Sequence, residues 1–146
     1  MKMLPPLLLA LCASCGGIPK DPDGTLDRVR AERQYKVGII ASGEPVGADR
    51  QRLFLSRVSS AAQARPSLEV GGAEPLLVKL EEGELDLVLG AMAPHSPWSK
   101  LVTFLPPLGE QVTSEGHVHL IAAARNGENA WISLLDGEAR KVAAQR

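Results

Sequence analysis

The side chains best suited to chemistry are few and scattered along the 146-residue chain. His117 and His119 stand two apart in an apolar run that reads as a strand, which puts both imidazoles on one face. With His95 they would offer three nitrogens to a metal ion. No cysteine or carboxylate cluster lies beside them at ligand spacing, so no metal is expected and the pair reads as polar residues on an exposed strand face. No serine sits in a nucleophile-elbow sequence. "GGAEP" and "GAMAP" lack the spacing of phosphate-cradling glycine loops. Glu81-Glu82-Gly83-Glu84 reads as a solvated helix end, not as a carboxylate pair for acid–base work. The expectation is a protein that is not an enzyme and carries no cofactor.

Reversible binding is better supplied. The stretch Ala91 to Lys100, "AMAPHSPWSK", follows a short apolar run and gathers a thioether, an imidazole, hydroxyls, an indole and an ammonium. Trp98 is its most informative member. An indole in a polar loop either stacks on a ligand, anchors a partner, or packs over the end of a sheet. A second polar loop, Ser42-Gly43-Glu44, follows another apolar run.

The elements that must position these loops alternate in type. "YKVGIIA" (Tyr35 to Ala41) reads as a buried strand. A helix is expected from "ADRQRLFLSRVSSAAQAR", with Phe54, Val58, Ala61 and Ala62 on one face and Pro66 as its stop. "SLEV" (Ser67 to Val70) reads as a second strand. Leu76, Leu77 and Leu80 mark a helix opened near Pro75 and closed at Gly83. "LDLVL" (Leu85 to Leu89) reads as a strand, with alternating Leu85, Leu87 and Leu89. "LVTFL" (Leu101 to Leu105) is a short apolar run stopped by Pro106-Pro107. "HVHLIAAA" (His117 to Ala124) reads as a strand. The last helix carries Trp131, Leu134, Leu135 and Val142 on one face, with Asn126 or Asn129 as its cap. Strands alternating with helices point to an α/β fold with a mainly parallel sheet flanked by helices. In such sheets ligands sit outside the carboxyl ends of the strands, where both polar loops fall.

Bulk composition narrows the function classes. Sixteen Lys and Arg face seventeen Asp and Glu, with no basic stretch and no aromatic–basic interleaving, which excludes nucleic acid as a partner. The start of the chain is different. Met1-Lys2-Met3 precedes a short apolar run, Leu4 to Ala13, too short for the about 20 residues a bilayer span needs. Ala13-Ser14-Cys15-Gly16-Gly17 follows, and this resembles a bacterial lipoprotein signal, with Cys12 in place of the usual leucine. The resemblance implies a signal peptide over 1–14, acylation of Cys15, and an exported protein held at a membrane by that lipid anchor, facing the periplasm or the cell exterior. Residues 15–34, rich in Gly, Pro and charge, read as a tether whose second half forms a helical turn capped by Asp23 or Thr25. A disulfide framework is not expected, because cleavage leaves one cysteine. The lobe then spans 35–146.

From about Gly24 to Leu108 the chain resembles the extracytoplasmic solute-binding proteins of ABC transporters, of the polar amino acid-binding type. Leu80, Gly83, Asp86, Gly90, Pro97, Val102, Phe104, Pro106 and Pro107 fall on that family's pattern. The resemblance implies a periplasmic-binding-protein-like fold and a small polar, amino acid-like solute. An ABC permease, or another envelope protein, is the implied protein partner. It places Ser42 and Glu44 on one side of the ligand ledge, and Met92, Ser96 and Trp98 on the other. The sequence departs from the family where an arginine would pair with the ligand's carboxylate. Trp98 and Ser99 follow Ser96-Pro97, and Lys100 is the next cation. It departs again after "FLPPL", where only "GEQVTSEG" precedes "HVHLIAAA". The second lobe is therefore expected to be missing, leaving one lobe with an open ledge. The alternative expectation is an envelope interaction module, or a degenerate copy that binds no ligand.

Overall fold

The computed structural model describes residues 21–42, 47–93, 95–113 and 116–145. The elements run α1 (Thr25–Glu32), β1 (Gln34–Ile40), α2 (Ala48–Ala62), β2 (Arg65–Gly71), α3 (Ala73–Glu81) and β3 (Leu87–Met92). A 3₁₀ turn (Pro97–Lys100), β4 (Val102–Phe104), β5 (Gly109–Thr113), β6 (Gly116–Arg125) and α4 (Asn129–Ala143) complete them. One sheet has the order β2-β1-β3-β6-β4, with β5 also on β6. β1 pairs parallel with β2 and β3, and β6 pairs antiparallel with β3, β4 and β5. So β6 alone runs against the other five strands, and the sheet is mainly parallel in direction as expected.

Two apolar layers fix the helices to opposite faces. One joins Val29, Phe54, Val58, Trp131, Leu135 and Val142 of α1, α2 and α4 to Tyr35, Val37, Leu87 and Leu89 of the strands. The other seats Leu76, Leu77 and Leu80 of α3 on Ile40, Val88, Val102 and Ile121. β3 is covered on both sides, so Leu87, Val88 and Leu89 are all fully buried. The expected alternation of "LDLVL" divides its apolar residues between the two layers, Leu87 and Leu89 in one and Val88 in the other, but the strand starts two residues later than expected. A central strand is buried on both faces and loses its polar side. Gly90 lets β1 and β3 come together near their carboxyl ends: a Cβ there would lie 2.5 Å from Ile40 Cβ.

Several other expectations change. α2 ends at Ala62, with Gln63 in the left-handed conformation, so Pro66 does not stop it. Ala61 faces solvent, and Pro66 lies within β2. The second half of the 15–34 tether is a full helix docked in the lobe, with Val29 buried. Its cap is neither Asp23 nor Thr25 but Gly24, whose side chain offers nothing. Neither asparagine caps α4; Glu128 is its N-cap residue, and Asn126 instead accepts from Thr103 Oγ1 at 2.6 Å. "GEQVT" is a strand, not a plain bridge, and pairs with β6 from Gly109↔Leu120 to Thr113↔Gly116. Arg50 of α2 steadies the entry to β5. It donates to the Leu108 carbonyl at 2.8 Å and to the Val142 carbonyl, near the end of α4, at 3.2 Å.

Candidate functional site

β1 and β3 are parallel neighbours, so both end at the same edge of the sheet. Ile40 leads into Ala41 and Ser42, and Met92 leads into the 3₁₀ turn. α2 starts at this edge behind Gly47, whose φ of 61° suits glycine and whose Cα lies close against Leu120. Between these parts lies a concavity of about 240 Å³, lined by Ile39, Ile40, Ala41, Ser42, Gln51, Gly90, Ala91 and Leu120. Its floor is apolar, and its polar side chains are Ser42 and Gln51. α2 begins three residues before Gln51, so the positive end of its helix dipole lies near.

The residues expected to form the ledge divide. Ser42 is exposed at the rim of the concavity. Glu44 lies outside the described residues, as does Cys15. Met92 is only 6% exposed and belongs to the apolar layer under α3, so it is not presented to a ligand. Its place on β3 turns it toward the core that Leu76 and Val88 share. Ser96 caps the 3₁₀ turn: its hydroxyl oxygen accepts from the Trp98 N–H at 3.3 Å, with Pro97 at the first position. The hydroxyl hydrogen still has freedom to donate. Trp98 is half-buried against the same layer as Phe104, so it packs over the sheet's end while keeping part of its ring in solvent. Lys100 is exposed in the last turn. Met92, Ser96, Trp98 and Lys100 do not line the concavity.

Sequence reasoning missed Gln51. It sits one turn into α2, and a helix that follows the first strand aims its first turn at this edge; that was the available signal. His119 is also closer to the edge than expected, as the register partner of Met92. Its Nε2 lies 3.7 Å from Glu110 Oε1 across the β5–β6 hairpin. His117 is exposed on the same hairpin and His95 is exposed in the loop. Among the described residues no three metal-ligating side chains converge.

The opposite edge of the sheet is built differently. Glu128 is 1% exposed, and its carboxylate accepts from the Asp23 N–H at 2.9 Å and the Thr25 N–H at 2.8 Å. It thus supplies the acceptors that the α1 start lacks in its own sequence. In return, the Asp21 carboxylate accepts from the Ala130 N–H of α4 at 2.7 Å. Asp86, also buried, is paired with Arg28 and accepts from the Lys36 N–H at 2.8 Å. The Trp131 indole donates to the Asp86 carbonyl at 2.8 Å. A hollow of about 330 Å³ opens beside this network, and Arg125, ion-paired to Asp23, lies at it. Another surface hollow, of about 580 Å³, is lined by Arg33, Ser59, Ser60, Gln63, Ala64 and Arg65. The carbonyl end of α2 faces it beside the guanidinium groups of Arg33 and Arg65. Topology favours the smaller carboxyl-edge concavity, since open α/β sheets take ligands at that edge.

No family model matches the chain, and no curated protein matches it. Solved structures do. The arginine-bound form of domain 1 from TmArgBP, ArgBP being a protein of T. maritima, superposes with a TM-score of 0.66 at 15% identity. That match covers 79% of this chain and 98% of that domain. A Salmonella typhimurium periplasmic binding protein of high arginine specificity gives 0.62 at 13% identity, over 77% of this chain and 94% of that one. An ancestral amino acid-binding protein, a precursor of cyclohexadienyl dehydratase, gives 0.66 at 10% identity, over 83% and 94%. The fold is therefore that of a single lobe of a periplasmic binding protein.

Proposed function

We propose that this lobe binds a small polar, amino acid-like solute at the carboxyl edge of its sheet, as a lipid-anchored component of an ABC importer. The observation that carries the reading is the concavity between the ends of β1 and β3, with Ser42 and Gln51 at its rim and the α2 N-terminus beside it. It lies at the strand ends where open α/β sheets take ligands. Ser42 and Gln51 would hydrogen-bond the solute, and the α2 N-terminus would favour a carboxylate. Lys100, the next cation after the family's arginine position, lies off the concavity and would act on a solute only as a distant point charge, since an ammonium lacks the planar fork that grips a carboxylate twice. The concavity is smaller than the about 300–1,000 Å³ of most small-molecule sites, and one lobe leaves it open. Binding is therefore weak, or needs a partner that supplies the second wall. Acylated Cys15 would hold the lobe at the membrane.

A second reading rests on its own observation. Met92 is spent on the core, Ser96 on a cap and Trp98 largely on packing. That pattern favours an interaction module of the envelope that has given up solute binding.

The test is a thermal-shift screen of amino acids and small polar solutes. A ligand that binds only the folded lobe raises the melting temperature by mass action. A shift with an amino acid-like solute supports the first reading. No shift, together with a protein partner lost on Trp98→Ala, sinks it in favour of the second. The mass of the mature N-terminus tests the anchor separately: an unmodified Cys15, or cleavage elsewhere, rejects it.

A further inference from the structure

β2 is the outermost strand of the sheet beyond β1, and the direction of its backbone groups can be read. The Arg65 N–H donates to the Arg33 carbonyl at 3.0 Å, and the Gly71 carbonyl accepts from the Ala41 N–H at 2.9 Å. In a parallel ladder alternate residues point to the same neighbour. Arg65, Ser67, Glu69 and Gly71 therefore face β1, and Pro66, Leu68 and Val70 turn their backbone groups to the open edge. The proline sits where its missing N–H costs the sheet no bond.

The side chains are ordered in the same way. Pro66, Leu68 and Val70 share one face. Leu68 is 57% exposed and Val70 69%. The other face carries Arg65, Ser67 and Glu69. It looks toward α3, because Glu69 is ion-paired with Lys79 and Gly71 lies against Leu76. Proteins normally blunt such an edge with charge, bulges or a covering segment. The opposite edge of this sheet is interrupted by Pro106-Pro107 between β4 and β5. Among the described residues, β2 keeps an apolar face and unpaired donors over a continuous run.

We infer that β2 pairs antiparallel with β2 of a second copy of this chain, centred on Leu68, joining two sheets across a two-fold axis. The register follows from chemistry. Centred on Leu68, the two Leu68 residues exchange both their N–H and carbonyl groups, and each Val70 N–H reaches the Pro66 carbonyl of the other copy. Leu68 meets Leu68, and Val70 meets Pro66, on the apolar face. On the polar face Ser67 lies opposite Glu69, and Arg65 stands diagonal to Glu69, within reach of an opposite charge. Centring on Ser67 leaves only the Leu68 N–H groups bonded, because Pro66 has none to give. Centring on Glu69 keeps the bonds but sets two carboxylates face to face, which is unfavourable. The self-complementary contact is the isologous kind that closes a dimer.

Sedimentation equilibrium of the full chain across the micromolar to millimolar range tests this. The wild type is expected to show a monomer–dimer equilibrium. Leu68→Pro removes only an outward N–H, so the β1 ladder survives; the dimer dissociation constant rises at least about tenfold. Leu68→Lys, at a position already mostly exposed, does the same without touching the backbone. Melting curves confirm that both variants fold. A wild type that stays monomeric throughout overturns the inference. So does a dimer that survives both substitutions, because it would use another surface.

Discussion

At the amino edge of the sheet, Glu128 and Asp86 are buried and each holds donors from distant parts of the chain. At the carboxyl edge, Ser42 and Lys100 are exposed, and the bond resolved for Ser96 is a local one to Trp98. Different residue types thus serve opposite ends. Buried carboxylates with several partners tie α1 and α4 to the strands, and each of their oxygens already accepts a hydrogen bond. Above the other edge, Ser96 is bonded within its own turn, and the exposed Lys100 meets solvent. Removing an amino-edge group should therefore cost stability, and removing a carboxyl-edge group should cost binding.

The largest effect is expected at Glu128. Glu128→Ala leaves the Asp23 and Thr25 N–H groups without their acceptor and empties a buried volume. Each orphaned group costs about 1–3 kcal/mol, so a loss of about 3 kcal/mol is expected in urea denaturation. Glu128→Gln keeps one carbonyl acceptor and should lose about half as much. A loss below about 0.5 kcal/mol for the alanine variant would break the contrast between the edges.

Trp98 sharpens the contrast from the other side. Its ring is half-buried, so Trp98→Ala should cost about 1–2 kcal/mol, well under the about 3–5 kcal/mol of a fully buried aromatic. The same substitution should weaken any solute-induced thermal shift if the exposed part of the ring stacks on the ligand. Retention of the full shift, with that stability loss, would make Trp98 purely a packing residue. The carboxyl edge would then be limited to Ser42, Gln51 and the α2 start.

Much of this architecture was legible from apolar spacing. β1, α2, α3, β6 and α4 carry runs or faces whose period matches their structure, because burial selected them. β5 was not legible: Gly109, Glu110, Gln111 and Val112 offer no buried face, and pairing to β6 makes the segment a strand. The docking of α1 was hidden for a related reason. Its acceptors come from Glu128, 103 residues after Thr25, and local sequence carries no trace of a cap so remote. At the candidate site, sequence placed Ser42 after β1 and the loop after β3 at one edge of the sheet, because strand direction follows from the alternation of elements. It overassigned Met92, since a thioether at a strand end reads the same whether it points to the core or to a ligand. It overlooked Gln51, since a single polar residue in a helix looks like any solvated one.

The smallest effect separates charge from hydrogen bonding as the source of a buried carboxylate's worth. Glu138 of α4 lies between Arg57 of α2, at 2.8 Å, and Lys141, at 2.6 Å, so its partners are cations where those of Glu128 are neutral N–H groups. Burial pushes the Glu138 carboxyl up, but the hydrogen bonds and charges of Lys141 and Arg57 outweigh it and hold the group below its ordinary value of 4.5. A carboxyl depressed in the folded state adds stability that is complete above its unfolded value. That stability is lost as pH falls through the folded one. Glu138→Gln should therefore be less stable than wild type at pH 7 by about 0.5 kcal/mol, roughly 2 °C in melting temperature. The gap should close as pH drops below 4.5. A gap that persists undiminished in acid would mean that Glu138 acts through shape and neutral hydrogen bonds, as Glu128 does, and that charge adds nothing at either place.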